Sequence, residues 1–215
     1  MLTIYGVYRS RASRCIWLAH EIGMSFRHVP VMQAYRMDNP DAPMNTRSPA
    51  FLRVNPHGHI PSMDDDGLVL HESLAINLYI AKRYGGTLGP ADIAEDGQMA
   101  MWALWAATEV EPHSIQVLYH RVSYPPAKRD PAVARASIDA LRKPLEVLDQ
   151  ALAATGFLVA GRFTVADINV AEVVRYALPA PELFETTPAL RGWLAACHER
   201  PAYKRMMADR ELEPA

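Results

Sequence analysis

The sequence predicts an α/β unit followed by an all-α unit, and three observations carry that prediction. Before residue 85, short strand-like runs alternate with amphipathic helical runs. The glycine-rich stretch Gly85-Gly86-Thr87-Leu88-Gly89-Pro90 then breaks the pattern as a linker. Beyond it the apolar repeats have helical spacing, and no credible strand follows. The division is therefore 1–84, a linker at 85–90, and an all-α unit over 91–215.

Composition sets the outer limits. At 215 residues the chain is long enough for two small domains with real cores. Half the residues are hydrophobic and 21% are charged, as in an ordinary soluble protein. A net charge of −2 gives no electrostatic case for nucleic acid or an anionic membrane surface. No apolar run approaches the roughly 18 residues of a membrane span. The amino terminus runs directly into a strand, without a charged leader. Cys15 and Cys197 are far apart and lie on apolar helical faces, which argues against a disulfide framework and for a reducing, cytoplasmic setting.

Leu2 to Tyr5 read as a buried strand that Gly6 ends. Cys15, Leu18, Ala19 and Ile22 fall at i, i+3, i+4 and i+7, the apolar face of a helix with Ser13 as N-cap and Gly23 as stop. Residues 26–31 form a second strand, since Val29 and Val31 alternate. A polar loop over 33–47 follows, and Ser48-Pro49 then start a short helix. Asp66-Gly67 closes a hairpin whose return strand is Leu68-Val69-Leu70. A helix over 73–84 completes the unit. The order β-α-β-(α)-β-β-α is that of a thioredoxin-like domain with a four-stranded mixed sheet.

In the second unit, residues 92–121 form a long helical stretch expected to bend at Pro112. Asp130-Pro131 start a helix carrying Ile138, Leu141, Leu145, Leu148 and Leu152, with a second kink expected at Pro144. Thr164-Val165-Ala166-Asp167 is a capping-box variant with aspartate in place of glutamate, opening a helix apolar on nearly all sides. Thr187-Pro188 and Pro201 start the last two helices.

The most informative segment is Asn55-Pro56-His57-Gly58-His59-Ile60-Pro61, followed by His71-Glu72-Ser73. Pro61 offers no N–H, so Ile60 sits at a strand end whose backbone is free to bond something else. An X-Pro bond is also the common place for a cis peptide, which would turn the Ile60 N–H and C=O outward. Glu72-Ser73 open a helix, whose free N–H groups suit a carboxylate, while Glu72 suits an ammonium. Together these features describe a pocket for a zwitterionic amino-acid head beside a strand edge that can pair with an extended peptide.

This segment resembles the N-P-x-G-x-[VI]-P and E-S motifs of the glutathione transferase family, and Gly161-Arg162-Phe163-Thr164-Val165-Ala166-Asp167 resembles that family's G-x-x-[ST]-x-A-D helix cap. The resemblance covers nearly the whole chain and points to a serine-type, bacterial-like cytosolic member. It implies glutathione as co-substrate, no metal, and a homodimer formed through the helix after Glu72 and the long kinked helix. It also implies backbone pairing of Ile60, next to Pro61, with the cysteinyl part of glutathione, and capture of the γ-glutamyl end by Glu72 and Ser73. His59 occupies a variable position; it is either a contact to the glycyl carboxylate or a solvated turn histidine. His57 and His59 are too few ligands for a metal. Thr164 and Asp167 are read as a folding cap.

In a thioredoxin-like domain the reactive group lies between the first strand and the first helix, here Val7-Tyr8-Arg9-Ser10-Arg11-Ala12-Ser13-Arg14. Redox relatives place C-x-x-C there; this chain has Ser10-x-x-Ser13. A hydroxyl can hydrogen-bond the thiolate of bound glutathione, with Arg9, Arg11 and Arg14 adding positive potential. Ser10, with Arg14 four residues on, matches the serine-type pattern and is the expected thiolate donor. Tyr8 is the runner-up, since other classes use a phenol here. Ser13 is the third hydroxyl, better explained as the cap. Cys15 reads as a buried structural thiol.

The implied reaction is attack of the glutathione thiolate on a hydrophobic electrophile. Alternatives are glutathione-dependent isomerisation, dehalogenation, disulfide or peroxide reduction, or a non-catalytic binding module. Trp105, Glu109, His113 and Tyr119 are spaced to line the kinked helix beside a second substrate, although core or interface roles suit most of them better.

Overall fold

The structure, a computed structural model, describes residues 1–37 and 44–213. The chain divides into two units: Met1–Gly86 together with the residues from Arg200 onward, and Thr87–Glu199.

The first unit is built on four strands: β1 (Leu2–Tyr5), β2 (Arg27–Val29), β3 (Ser62–Asp65) and β4 (Leu68–His71). Their order is β2-β1-β3-β4; β1 runs parallel to β2, and β3 is antiparallel to both β1 and β4. The sheet is mixed, as expected of a thioredoxin-like domain. β2 is shorter than residues 26–31 because Pro30 has no N–H to continue the ladder past Val29. The first crossover helix, α1 (Ala12–Ile22), buries Cys15, Ile16, Trp17, Leu18 and Ala19 completely, and Gly23 caps it in a left-handed conformation. A short helix, α2 (Pro49–Leu52), has Ser48 as its N-cap, accepting from the Phe51 N–H. The hairpin turns at Asp66-Gly67, and α3 (Ser73–Tyr84) follows β4. Part of the polar loop predicted over 33–47 lies outside the described residues.

The second unit holds α4 (Ile93–Trp105), α5 (Glu111–Leu118), α6 (Pro131–Thr155), α7 (Val165–Val174), α8 (Glu182–Glu185) and α9 (Pro188–Glu199). Among its described residues the sole β feature is an isolated bridge between Val159 and Arg162. The disturbance expected at Pro112 falls just before it, as a wide π turn over Ala106–Val110. Pro112 itself sits in the first turn of α5, where a missing N–H leaves no helical bond unmade. α6 runs unbroken through Pro144. The capping box forms in full: Thr164 accepts from the Ala166 N–H, and Asp167 accepts from the Thr164 N–H at 2.8 Å. Every residue of α7 is buried.

The last helix, α10 (Pro201–Leu212), was expected with the helical half. It belongs instead to the first unit, packed along α1 with the Tyr203 ring edge-on to Trp17 at 5.0 Å. Trp17 lies at the bottom of that contact with no exposed surface, so α10 covers a part of α1 that the sheet does not.

Candidate functional site

Asn55 is the keystone of the turn that carries Ile60. It is buried, and its Nδ2 donates to the His59 carbonyl at 2.8 Å and to Ser62 Oγ at 3.1 Å. Its Oδ1 accepts from the His57 N–H at 3.0 Å, closing an Asx turn. The Ile60–Pro61 peptide that follows is cis. Ile60 is partly exposed, and among the described residues neither its N–H nor its C=O has a hydrogen-bond partner. His59 is exposed and Pro61 buried.

Glu72 is exposed, with φ +66°, and its carboxylate makes no ion pair among the described residues. A positive φ is costly without glycine, and it is the kind of local strain that gathers at sites of function. Ser73 next to it is buried, and its Oγ accepts from Arg14 Nη1 at 3.0 Å. The Asn77 amide, one turn along α3, donates to the Arg14 carbonyl at 3.2 Å. Arg14 therefore binds α1 to the start of α3. Arg14, 1% exposed, makes that contact from the interior of the unit.

Gly6 joins the remaining piece. A Cβ there would lie 2.8 Å from Ala12 Cβ, 3.5 Å from Ile60 Cβ and 3.7 Å from Pro61 Cα. The end of β1 thus brings the Ile60–Pro61 turn against the start of α1, where the Ser10 loop enters the helix. Ser10 is partly exposed; its hydroxyl donates to the Val7 carbonyl at 2.6 Å and accepts from the Ala12 N–H at 3.0 Å. That second bond satisfies the first N–H of α1 from just outside the helix, whose N-cap, Arg11, makes no side-chain cap bond. Ser13, expected as N-cap, lies inside the first turn with no exposed surface. The Tyr8 phenol donates to Asp209 Oδ2 at 3.4 Å. Burial, then Asp209, push its pKa up to about 12, so it stays protonated and committed to that acid. Burial likewise pushes the Cys15 thiol up to about 12, and the thiol donates to the Ser73 carbonyl at 3.7 Å. It is inert as a nucleophile.

Two family models match the chain: the glutathione S-transferase N-terminal domain over residues 4–88 and the C-terminal domain over 130–196. Glutathione S-transferase 3 of Zea mays is 30% identical over 99% of this chain and 96% of its own length. The chain belongs to the glutathione S-transferase family. Among solved structures, the theta class glutathione S-transferase of Xanthomonas axonopodis pv. citri with glutathione bound is 29% identical, with 95% of each chain covered and a TM-score of 0.81. Glutathione transferase F7 of Populus trichocarpa, at 24% identity and a TM-score of 0.83 over 98% of this chain and 99% of its own, shares the fold.

Within this transferase, the first unit brings Ser10, Ile60, Glu72 and Ser73 onto elements tied together by Gly6 and Arg14. In the second unit Glu109 is exposed, and Trp105, His113 and Tyr119 are half-buried; Trp105 sits edge-on to Trp102 and Tyr119 stacks on Tyr124. Among the described residues no group of three or more His, Cys, Asp or Glu is placed to hold a metal, and no helix is long and apolar enough to cross a membrane. Reading the sequence alone names Asn55 without its hydrogen bonds and misses Asn77, Arg210 and Glu213. Asn55 was detectable as the first residue of an Asn-Pro turn. The other three act through partners distant in the chain, which leave no local pattern.

Proposed function

We propose that this transferase activates glutathione as a thiolate for attack on a hydrophobic electrophile. The observation that carries the reading is Ile60: a partly exposed residue whose N–H and C=O have no partner among the described residues, beside an exposed Glu72 and a Ser73 at the first position of a helix. A peptide laid along Ile60 gains two main-chain bonds. The Ser73 N–H and hydroxyl receive the γ-glutamyl carboxylate, Glu72 takes the ammonium, and His59 is the glycyl contact. Ser73 Oγ already accepts from Arg14, which leaves its proton free to be donated.

Ser10 is the thiolate donor in this reading. Its hydroxyl turns from the Val7 carbonyl to the sulfur, while the Ala12 N–H continues to hold its oxygen. Tyr8, engaged with Asp209, and Ser13, fully buried, are less suited. Asp209 and Glu213 bond to this loop at Tyr8 and Arg9, so the hydroxyl and the start of α1 count for more than the three arginines. A homodimer is part of the proposal, supported by exposed Ile93, Met101 and Leu104 on α4, at 84%, 53% and 68%. Cys15 and Cys197 are buried thiols not joined in a disulfide, which fits a cytoplasmic setting.

The test is a titration of the ultraviolet thiolate absorbance of bound glutathione in wild type, Ser10→Ala and Tyr8→Phe. A lowered thiol pKa that Ser10→Ala alone restores supports both activity and assignment. Binding with an unmoved pKa makes the protein a binder, and reversal of the two variants makes Tyr8 the donor.

A further inference from the structure

The loop that leads to Ser10 is held by the far end of the same chain. Each of the four backbone groups of Tyr8 and Arg9 is met by a side chain. The Tyr8 and Arg9 N–H groups donate to the two oxygens of the Glu213 carboxylate, at 2.8 and 2.9 Å. The Tyr8 carbonyl accepts from the Arg210 guanidinium, and the Arg9 carbonyl accepts from Arg36 Nη1 at 3.1 Å. Arg9 returns the contact through its Nε, which donates to the Glu213 carbonyl at 3.1 Å. Two successive amides converging on one carboxylate form a charge-assisted anion site, here filled by the chain itself.

We propose that Glu213, with Arg210, is a positioning residue for thiol activation. The inference rests on the reading that the Ser10 loop serves the glutathione thiolate. Ser10 directly follows Arg9, and its hydroxyl already bonds the carbonyl of Val7, the residue before Tyr8. The peptide planes on either side of Tyr8 and Arg9 therefore set where the Ser10 hydroxyl sits. Removing the carboxylate leaves two half-buried amides without an acceptor, and the loop must turn to find water. Among the described residues, Ile60, Glu72 and Ser73 share no hydrogen bond or ion pair with Glu213, whose bonds go to Tyr8 and Arg9, so they should keep their geometry. Glutathione should then still bind while its thiolate loses a well-placed donor.

The experiment compares wild type, Glu213→Ala, Glu213→Gln, Ser10→Ala and the control Glu211→Ala, an exposed acid on α10, the helix that ends just before Glu213. Thiolate absorbance gives the pKa of bound glutathione; steady-state kinetics give kcat and the KM for glutathione. Glu213→Ala is expected to raise the thiol pKa by about one unit and to lower kcat by about tenfold or more with KM little changed. Glu213→Gln, which keeps one acceptor oxygen, falls between, and Glu211→Ala matches wild type. If Glu213→Ala melts earlier but keeps the wild-type pKa and kcat, the carboxylate is a structural staple and the proposal is overturned. If Glu213→Ala raises the pKa while Ser10→Ala does not, the positioning role stands through the loop amides and the Ser10 assignment falls. If neither variant moves it, both fall. Should Glu213→Ala fail to fold, Glu213→Gln and Arg210→Lys carry the same comparison.

Discussion

Arg14 Nη1 donates to Ser73 Oγ at 3.0 Å in the interior of the first unit, so the helix that follows the Ser10 loop is bonded to the helix that opens at Glu72-Ser73. One buried guanidinium thus relates the proposed thiol end of the site to its γ-glutamyl end. Arg14→Met keeps most of the side-chain volume and removes the donor. Unfolding free energy is expected to fall by about 2 kcal/mol, measured by urea denaturation. Glutathione affinity, measured by calorimetry, should fall with it; unchanged affinity would separate Arg14 from the site.

Gly58 has φ +63°, and a Cβ added there would lie 2.6 Å from the Thr46 carbonyl oxygen. Backbone on the other side of that contact cannot move aside as a flexible side chain would. Gly58→Ala should displace the turn that presents His59 and Ile60 and weaken glutathione binding by about tenfold or more. Retention on a glutathione column at wild-type strength would show that the turn absorbs the change.

Asp167 collects four donors in the second unit: the Thr164 N–H at 2.8 Å and hydroxyl at 3.1 Å, the Leu158 N–H at 3.2 Å, and Trp193 Nε1 at 2.9 Å. Asp167→Ala strands the last two as well as uncapping α7, at a cost of about 3 kcal/mol or more by thermal or urea unfolding. The folded fraction should keep wild-type thiol pKa for bound glutathione, because the cap serves folding.

His198 gives the pH dependence. Burial lowers its pKa to about 4; Glu172 opposes that shift and Arg175 adds to it. The unfolded chain protonates this histidine near its ordinary value of about 6.5, so between there and about 4 the unfolded state binds more protons. Stability therefore rises with pH across that window and is lost as pH falls through it, by about 3 kcal/mol at most. His198→Gln should flatten the difference between urea midpoints at pH 7 and pH 4.5; an unchanged slope would assign it to other groups.

The local periods of this chain were legible wherever one segment decides its own structure. Leu2–Tyr5, the Asp66-Gly67 turn, the helix over 73–84 and the Thr164–Asp167 cap follow from side-chain alternation, turn chemistry and N-cap chemistry, all of which act within a few residues. Ile60, Glu72 and Ser73 could be named because a proline and a helix start are written in sequence. What the tertiary structure decided are the partnerships between distant residues. Arg14 was legible as a source of positive potential, but its bond to Ser73 depends on where α3 lies. Ser13 looked like the cap, but α1 starts at Ala12 and places Ser13 inside its first turn. The helix after Pro201 looked like part of the helical half until Trp17 and Tyr203 met. Glu213 had no signal at all, because its two partners lie more than 200 positions away and a carboxylate's choice of donor depends on which amides the fold leaves unpaired. Sequence determined the elements and the Asn55–Pro61 motif; only packing determined which side chains hold the Ser10 loop.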